Sequence, residues 1–329
     1  MNQTATLPHL VTVYVARRAL VPVLERELLD TEKELELEEA GILLDLFHAR
    51  TRGQPTMKID NQGFTTLKQI ELAQMISQPQ VHRRVTKLLA SAGGYLELNS
   101  SRTSTGAMQV RLTEKGRTFA ERFWAGYRGL ASSLLAGMDD AQRQSHLSVN
   151  YAIQRKIQGW GLPWSAPAEK SEPAENLMSV FVTAKAIRLA IERSVILPED
   201  GLSVERTDLL VVLYVTGRFT SFGEIQRSLV QSFSPSRHII SKWIGEMGPE
   251  KSGFVDTQPL HGKRMAAAIT QKGIANVKPI LDRYNRLADR LLDDVSEQDR
   301  KAHLLVNRTI SNSIRPNLKD LITEEGEAP

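Results

Sequence analysis

Apolar residues recur every three to four positions from Leu10 to Leu29, with Val11, Val15, Leu20 and Leu24 among them, the spacing of a helix that buries one side. The same period returns over about Leu177–Ile196. Each segment predicts a long amphipathic helix, and a second helical pattern follows each, near residues 35–50 and 203–217. Two shorter helices come next in both places. The later of them begins at SQPQVHRRVTKLLAS in one and at SPSRHIISKWIGEM in the other. Ser77 and Ser234 are the expected N-caps, and the prolines just inside each start stand where a backbone N–H would be unpaired anyway. Two brief strands then flank a polar hairpin, YLELN–SSRTSTG–AMQVRLT in the first series and FVDTQ–PLHGKR–MAAAIT in the second. Thr113 and Thr270 are placed to cap a long helix after each hairpin, and two closing helices finish each series.

The two series are one pattern written twice. Leu112-Thr-Glu-Lys-Gly116 matches Ile269-Thr-Gln-Lys-Gly273 at a separation of 157 residues, and His146-Leu-Ser-Val-Asn-Tyr-Ala-Ile153 matches His303-Leu-Leu-Val-Asn-Arg-Thr-Ile310 at the same separation. Upstream, ILLDLFHAR (42–50) corresponds to LLVVLYVTGR (209–218), with an extra loop around RGQPTMKIDNQG in the first copy. Ser77-Gln-Pro-Gln-Val faces Ser234-Pro-Ser-Arg-His, although apolar positions there fit better with a shift of one residue. Two long units are too few for a solenoid. Two domains are therefore expected, 1–158 and 176–329, joined by a Pro- and Gly-containing linker at 159–175, the second ending in an acidic tail. A length of 329 residues agrees.

Charge is uneven. The net value is only +4, yet 77–117 carries seven basic residues (Arg83, Arg84, Lys87, Arg102, Arg111, Lys115, Arg117) against Glu97 and Glu114. A locally basic face can meet phosphate in a nearly neutral protein. The acidic run TEKELELEE at 31–39 is expected to be a solvated helix face. There is no cysteine, hence no disulfide and no thiolate ligand or nucleophile. No run of about eighteen apolar residues occurs and MNQTATLPHL lacks a signal-peptide pattern, so a cytoplasmic protein without a membrane span is expected. With no Gly-rich phosphate loop, metal-ligand spacing or nucleophile elbow, neither an enzyme nor a cofactor or metal is expected. His146 and His303 recur without a second ligand type, which favours helix packing, with Asn150 and Asn307 bonding nearby. Packing is also the expected role of Trp124, Trp160 and Trp164.

The order helix, helix, short helix, reading helix and two-stranded hairpin is that of a winged helix–turn–helix. Such a reading helix offers its N-terminal residues to base edges while basic and hydroxyl side chains hold phosphates. In the first copy Val81, Val85, Leu88 and Leu89 form the expected buried side, leaving Ser77, Gln78, Gln80, Arg83, Arg84 and Lys87 outward. In the second, Ile239, Ile240, Trp243 and Met247 are expected inside, with Ser234, Ser236, Arg237, Ser241 and Lys242 outward. The hairpins add Arg102, Lys263 and Arg264. The two exposed sets differ, so an asymmetric or imperfectly palindromic site on double-stranded DNA is expected.

The segment TTLKQIELAQMISQPQVHRRVTKLLASAGGYLELNSSRTSTGAMQVRLTEKGR resembles the MarR family of bacterial transcription regulators in its element order, its LTEKG junction and its long flanking helices. The second copy resembles it more weakly, and the pair is similar to tandem members of the related Sar group. The resemblance implies a mainly α chain with small β wings: two tandem winged helix–turn–helix domains whose terminal helices form an intramolecular pseudo-dimer. It implies a sequence-specific DNA-binding transcription regulator, with reading helices in the major groove and wings on the minor groove or backbone. The wings read SSRTSTGAM and PLHGKRM, without the Asp-x-Arg element usual in that family. Adjacent half-sites would hold the two reading helices about 34 Å apart. A small-molecule or protein effector that shifts this spacing would change affinity, because the two contacts act through a high effective concentration. Two other expectations stand beside this one: a tandem winged-helix plasmid replication initiator, and a winged-helix protein-interaction module in the second copy, whose half of the chain (165–329) is formally neutral.

Overall fold

A computed structural model describes residues 7–32, 34–52, 57–74, 76–91, 93–99, 108–158, 172–229, 236–260 and 265–324. The chain is mainly helical, with two small antiparallel sheets of three strands each. The first series runs α1 (Leu7–Leu29), α2 (Leu37–Arg52), β1 (Thr65–Thr66), α3 (Leu67–Gln74), α4 (Gln78–Ala90), β2 (Leu96–Leu98), β3 (Gln109–Leu112), α5 (Glu114–Leu134) and α6 (Asp140–Gln158). The second runs α7 (Pro173–Ser194), a 3-10 turn (Pro198–Asp200), α8 (Val204–Thr216), β4 (Thr220–Ser221), α9 (Phe222–Ser228), α10 (Arg237–Met247), β5 (Val255–Pro259), β6 (Met265–Ile269), α11 (Gln271–Leu292) and α12 (Glu297–Glu324). Contacts divide the chain into two compact units. One comprises Met1–Arg18 and Ala184–Ser296, the other Ala19–Thr183 and Glu297–Pro329.

Element order and strand register repeat. The sheets are ordered β1-β3-β2 and β4-β6-β5, with Thr65 opposite Val110 in one and Thr220 opposite Ala267 in the other. The strands β1 and β4, each of two residues, are too short for alternation to reveal in sequence. Equivalent helices bury equivalent stripes: Val81, Val85 and Leu88 on α4, and Ile240, Ile244 and Met247 on α10. Each pair stands 159 positions apart, against the 157 of the later junction, because the second hairpin is two residues shorter. This settles the local alignment. The N-cap of α10 is Ser236, whose hydroxyl accepts the Ile239 N–H at 3.4 Å, not Ser234 as the sequence suggests.

The repeated junction word has a physical cause in each retained residue. The hydroxyl of Thr113 accepts the Gly116 N–H (3.0 Å) and donates to the Gly94 carbonyl (2.8 Å). Thr270 does the same with Gly273 (3.0 Å) and Gly253 (2.7 Å). A Cβ on Gly116 would lie 2.1 Å from the Tyr95 carbonyl oxygen, and one on Gly273 would lie 2.3 Å from that of Phe254. Only glycine lets the helix start this close to the strand. Lys115 and Lys272 cover the same two rings, at 4.0 Å from Tyr95 and 5.6 Å from Phe254.

Each unit has its own core. In the unit that holds α8–α11, Leu209, Leu210, Leu213, Ile225, Ile240, Ile244, Met247, Val255, Ala267 and Val277 pack together. In the other, α2–α5 and their sheet bury Ile42, Leu43, Leu46, Ile70, Val81, Val85, Leu88, Tyr95 and Phe119. The long helix α1 corrects the single-stripe expectation. Leu20 and Leu24 are buried, but Val11 and Val15 are only partly so, while Leu10, Val13, Tyr14, Ala16 and even His9 and Arg17 are inside. A helix enclosed on much of its circumference has no single apolar face.

The two repeated histidines meet. Helices α6 and α12 make the most extensive helix–helix contact within their unit. There His146 stacks on His303 with ring centroids 5.2 Å apart. His146 Nε2 lies 3.4 Å from Asn307 Oδ1, and His303 Nε2 lies 3.4 Å from Asn150 Oδ1. Asn150 also donates to Ser179 (3.0 Å), and Gln154 to Thr183 (2.8 Å). Burial, partly opposed by the Asn307 contact, lowers the His146 pKa to about 4.

Candidate nucleic-acid interface

On α4 the buried stripe fixes which residues face outward. Ser77, Gln78, Gln80 and Arg83 are exposed, Arg84 and Lys87 partly buried. Gln80 also accepts the Ser77 N–H through Oε1 (3.3 Å), steadying the helix start. Two guanidinium nitrogens of Arg84, Nε and Nη1, are buried and have no acceptor among the described residues. Lys87 belongs to the packing instead. Its ammonium lies 2.8 Å from Glu39 and 3.7 Å from Glu36 on the α2 side. Desolvation would lower the Lys87 pKa, but these carboxylates outweigh it and raise it.

The basic cluster around α4 is largely answered by acid. Arg111 pairs with Glu97 (2.5 Å), Lys115 with Glu34 (3.6 Å), and Arg117 with Glu114. Glu32 meets Arg122 at 2.8 Å and also accepts from the Tyr95 hydroxyl. Burial works to raise the Glu32 carboxyl, yet Tyr95 and Arg122 outweigh it and hold it below its ordinary value. The acidic run at 31–39 is thus no plain solvated helix face. Most of it precedes α2, in a turn that meets the basic residues of α4 and α5. Of the seven basic residues between 77 and 117, Arg83 and Arg84 carry no ion pair among the described residues, and Arg102 lies outside them.

On α10, Ser236, Arg237, Ser241 and Lys242 are exposed, as expected. Trp243 is partly buried and Met247 buried, but Ile239 is 39% exposed, which corrects its placement inside. The stripe runs through 240, 244 and 247, so position 239 falls about 100° around the helix from it. Ser234, Lys263 and Arg264 lie outside the described residues. Sequence gave no sign of Arg227 at the end of α9. A Cβ on Gly223 would lie 3.8 Å from Arg227 Nη1 and 4.0 Å from Arg237 Nη2, so two guanidiniums converge beside one glycine. Arg18 was equally hidden. From α1 it donates to the carbonyls of Gln226 (3.0 Å), Arg227 (3.1 Å) and Leu229, closing the C-terminal end of α9.

A polar cavity of about 510 Å³ beside β3 and α5 is lined by Arg50, Arg111 and Arg117 together with Glu97, Glu114 and Glu121. Among the described residues no cluster of His, Asp and Glu could hold a metal ion, and no helix is long and apolar enough to cross a membrane. No protein-family model matches the chain, and no curated protein matches it.

Proposed function

We propose that the chain is a sequence-specific regulator of transcription that binds double-stranded DNA through two tandem winged helix–turn–helix modules of MarR-like layout. The observation that carries this reading is the equivalence of α4 and α10. Each is opened by a serine, buries the same three-residue stripe, and leaves its N-terminal turns exposed. Arg83 and Lys242 occupy equivalent exposed positions and would hold phosphate. A phosphate oxygen would also answer the convergent, exposed Arg227 and Arg237. The exposed residues ahead of them differ, Gln78 and Gln80 against Arg237 and Ile239, so the two half-sites would differ as well.

The reciprocal contacts His146–Asn307 and His303–Asn150 have the form of an isologous two-fold interface, in which each surface meets its own equivalent. We read them as the seam of an intramolecular pseudo-dimer. The test is selection of duplexes from a random pool by the full chain, followed by footprinting. A promoter regulator protects one asymmetric site. Replacing both Arg83 and Arg84 by alanine weakens binding and lowers the slope of log affinity against log salt by about two. A pool that yields no enriched duplex overturns the proposal.

A second reading draws on one observation. Val215 is 76% exposed and Phe219 is also open, both in the second copy. That copy would then be a protein-interaction module. Charge substitutions at Arg237 and Lys242 that leave DNA affinity intact would favour it.

A further inference from the structure

Positions 80 and 239 are equivalent: each is the third residue of its helix, counted from the capping Ser77 or Ser236. In the first copy this place holds Gln80, and in the second the open side chain of Ile239. Ile239 is not needed by the core, which α10 reaches through Ile240, Ile244 and Met247. Around it Arg237, His238, Ser241 and Lys242 are all exposed and polar, so it is a single aliphatic group in a basic and hydroxyl setting.

We infer that Ile239 is a specificity-determining residue that recognises the C5-methyl group of a pyrimidine in the major groove. The inference rests on the DNA-binding reading and deepens it for the second half-site. The physical basis is narrow. Base edges in the major groove present hydrogen-bond donors, acceptors and one apolar group, the methyl of thymine. An aliphatic side chain near the start of a reading helix gains nothing from donors or acceptors and gains by covering that methyl. Gln80, at the same helical place, offers an amide that pairs with adenine, so one position reads two chemistries in the two copies.

The experiment uses the full chain and the duplex it selects. Each thymine of the second half-site is replaced in turn by deoxyuridine, which removes only the C5-methyl. One or two positions lose affinity by about four-fold, the value of one buried methyl-sized group. In Ile239→Ala, an exposed change whose melting temperature matches the parent, thymine and deoxyuridine bind equally at those positions. Placing 5-methylcytosine or cytosine there separates the methyl from the base. A four-fold preference for 5-methylcytosine assigns the contact to the methyl, and no preference overturns it. A scan in which deoxyuridine is silent everywhere, or an Ile239→Ala chain that keeps the parent's sensitivity, also overturns it. If Arg83→Ala still weakens the selected duplex in that case, the DNA-binding reading survives and only this inference falls. If no duplex is selected, both fall.

Discussion

The Lys87 ammonium sits 2.8 Å from the Glu39 carboxylate, and in the second copy the equivalent pair carries the opposite signs, Glu246 against Arg206. Both pairs tie the fourth helix of their series to the second. Glu39 is 3% exposed and Lys87 40%, so the pair is partly shielded from water. Lys87→Glu sets two carboxylates together and lowers stability by about 2 kcal/mol. Adding Glu39→Arg recreates the arrangement of the second copy and recovers most of that loss. Urea unfolding of both singles and the double gives the coupling. A double variant no more stable than Lys87→Glu would remove the pair from the packing account.

Gly116→Ala and Gly273→Ala bring a methyl against a backbone carbonyl that cannot rotate away, and each costs about 3 kcal/mol. Gly129, in the exposed middle of α5, has no atom within 4 Å of a Cβ. Gly129→Ala therefore stabilises by up to about 1 kcal/mol through helix propensity. Thermal melting of the three variants should show opposite signs. Equal effects would mean that the close approach at the junction is not rigid.

His146 sets an acid limit. Its folded pKa is about 4, below the ordinary 6.5. Between those values the unfolded chain binds more protons than the folded one, so stability is complete above about pH 6.5 and falls as pH drops through 4. The full loss is about 3 kcal/mol. His146→Gln flattens that limb of the stability–pH profile, read by urea midpoints from pH 7 to 4. An unchanged limb would show that the ring is not held neutral by burial.

Arg18→Met leaves three carbonyls at the end of α9 without their donor. The cost is about 2 kcal/mol, and it is local. Amide hydrogen exchange in α9 rises while that of α2 and α5 stays at its original rate. Exchange that rises evenly would point to global destabilisation instead.

What the sequence revealed follows from which forces act locally. Thr113, Thr270 and the two junction glycines were legible because capping and close approach depend on neighbours in the chain. The stripes of α4 and α10 were legible from their period, apart from Leu89 and Trp243, which are only partly buried, and Ile239, which a four-residue apolar count draws inside by one position too many. The strands β1 and β4 were not, since two residues cannot alternate. The roles of Lys87 and Arg18 were invisible for another reason. Each is defined by a partner far along the chain, 48 residues away for Lys87 and more than 200 for Arg18, and an isolated basic residue looks the same whether or not it has one. Arg102, Ser234, Lys263 and Arg264 lie outside the described residues.

The crossed contacts of His146 with Asn307 and His303 with Asn150 have an evolutionary consequence. Where identical subunits meet, every substitution at the shared surface arrives twice and must suit itself. Here the gene encodes each side separately, so a change at one histidine leaves the other untouched. The two halves are therefore free to drift apart in sequence while a single polypeptide keeps them in fixed stoichiometry.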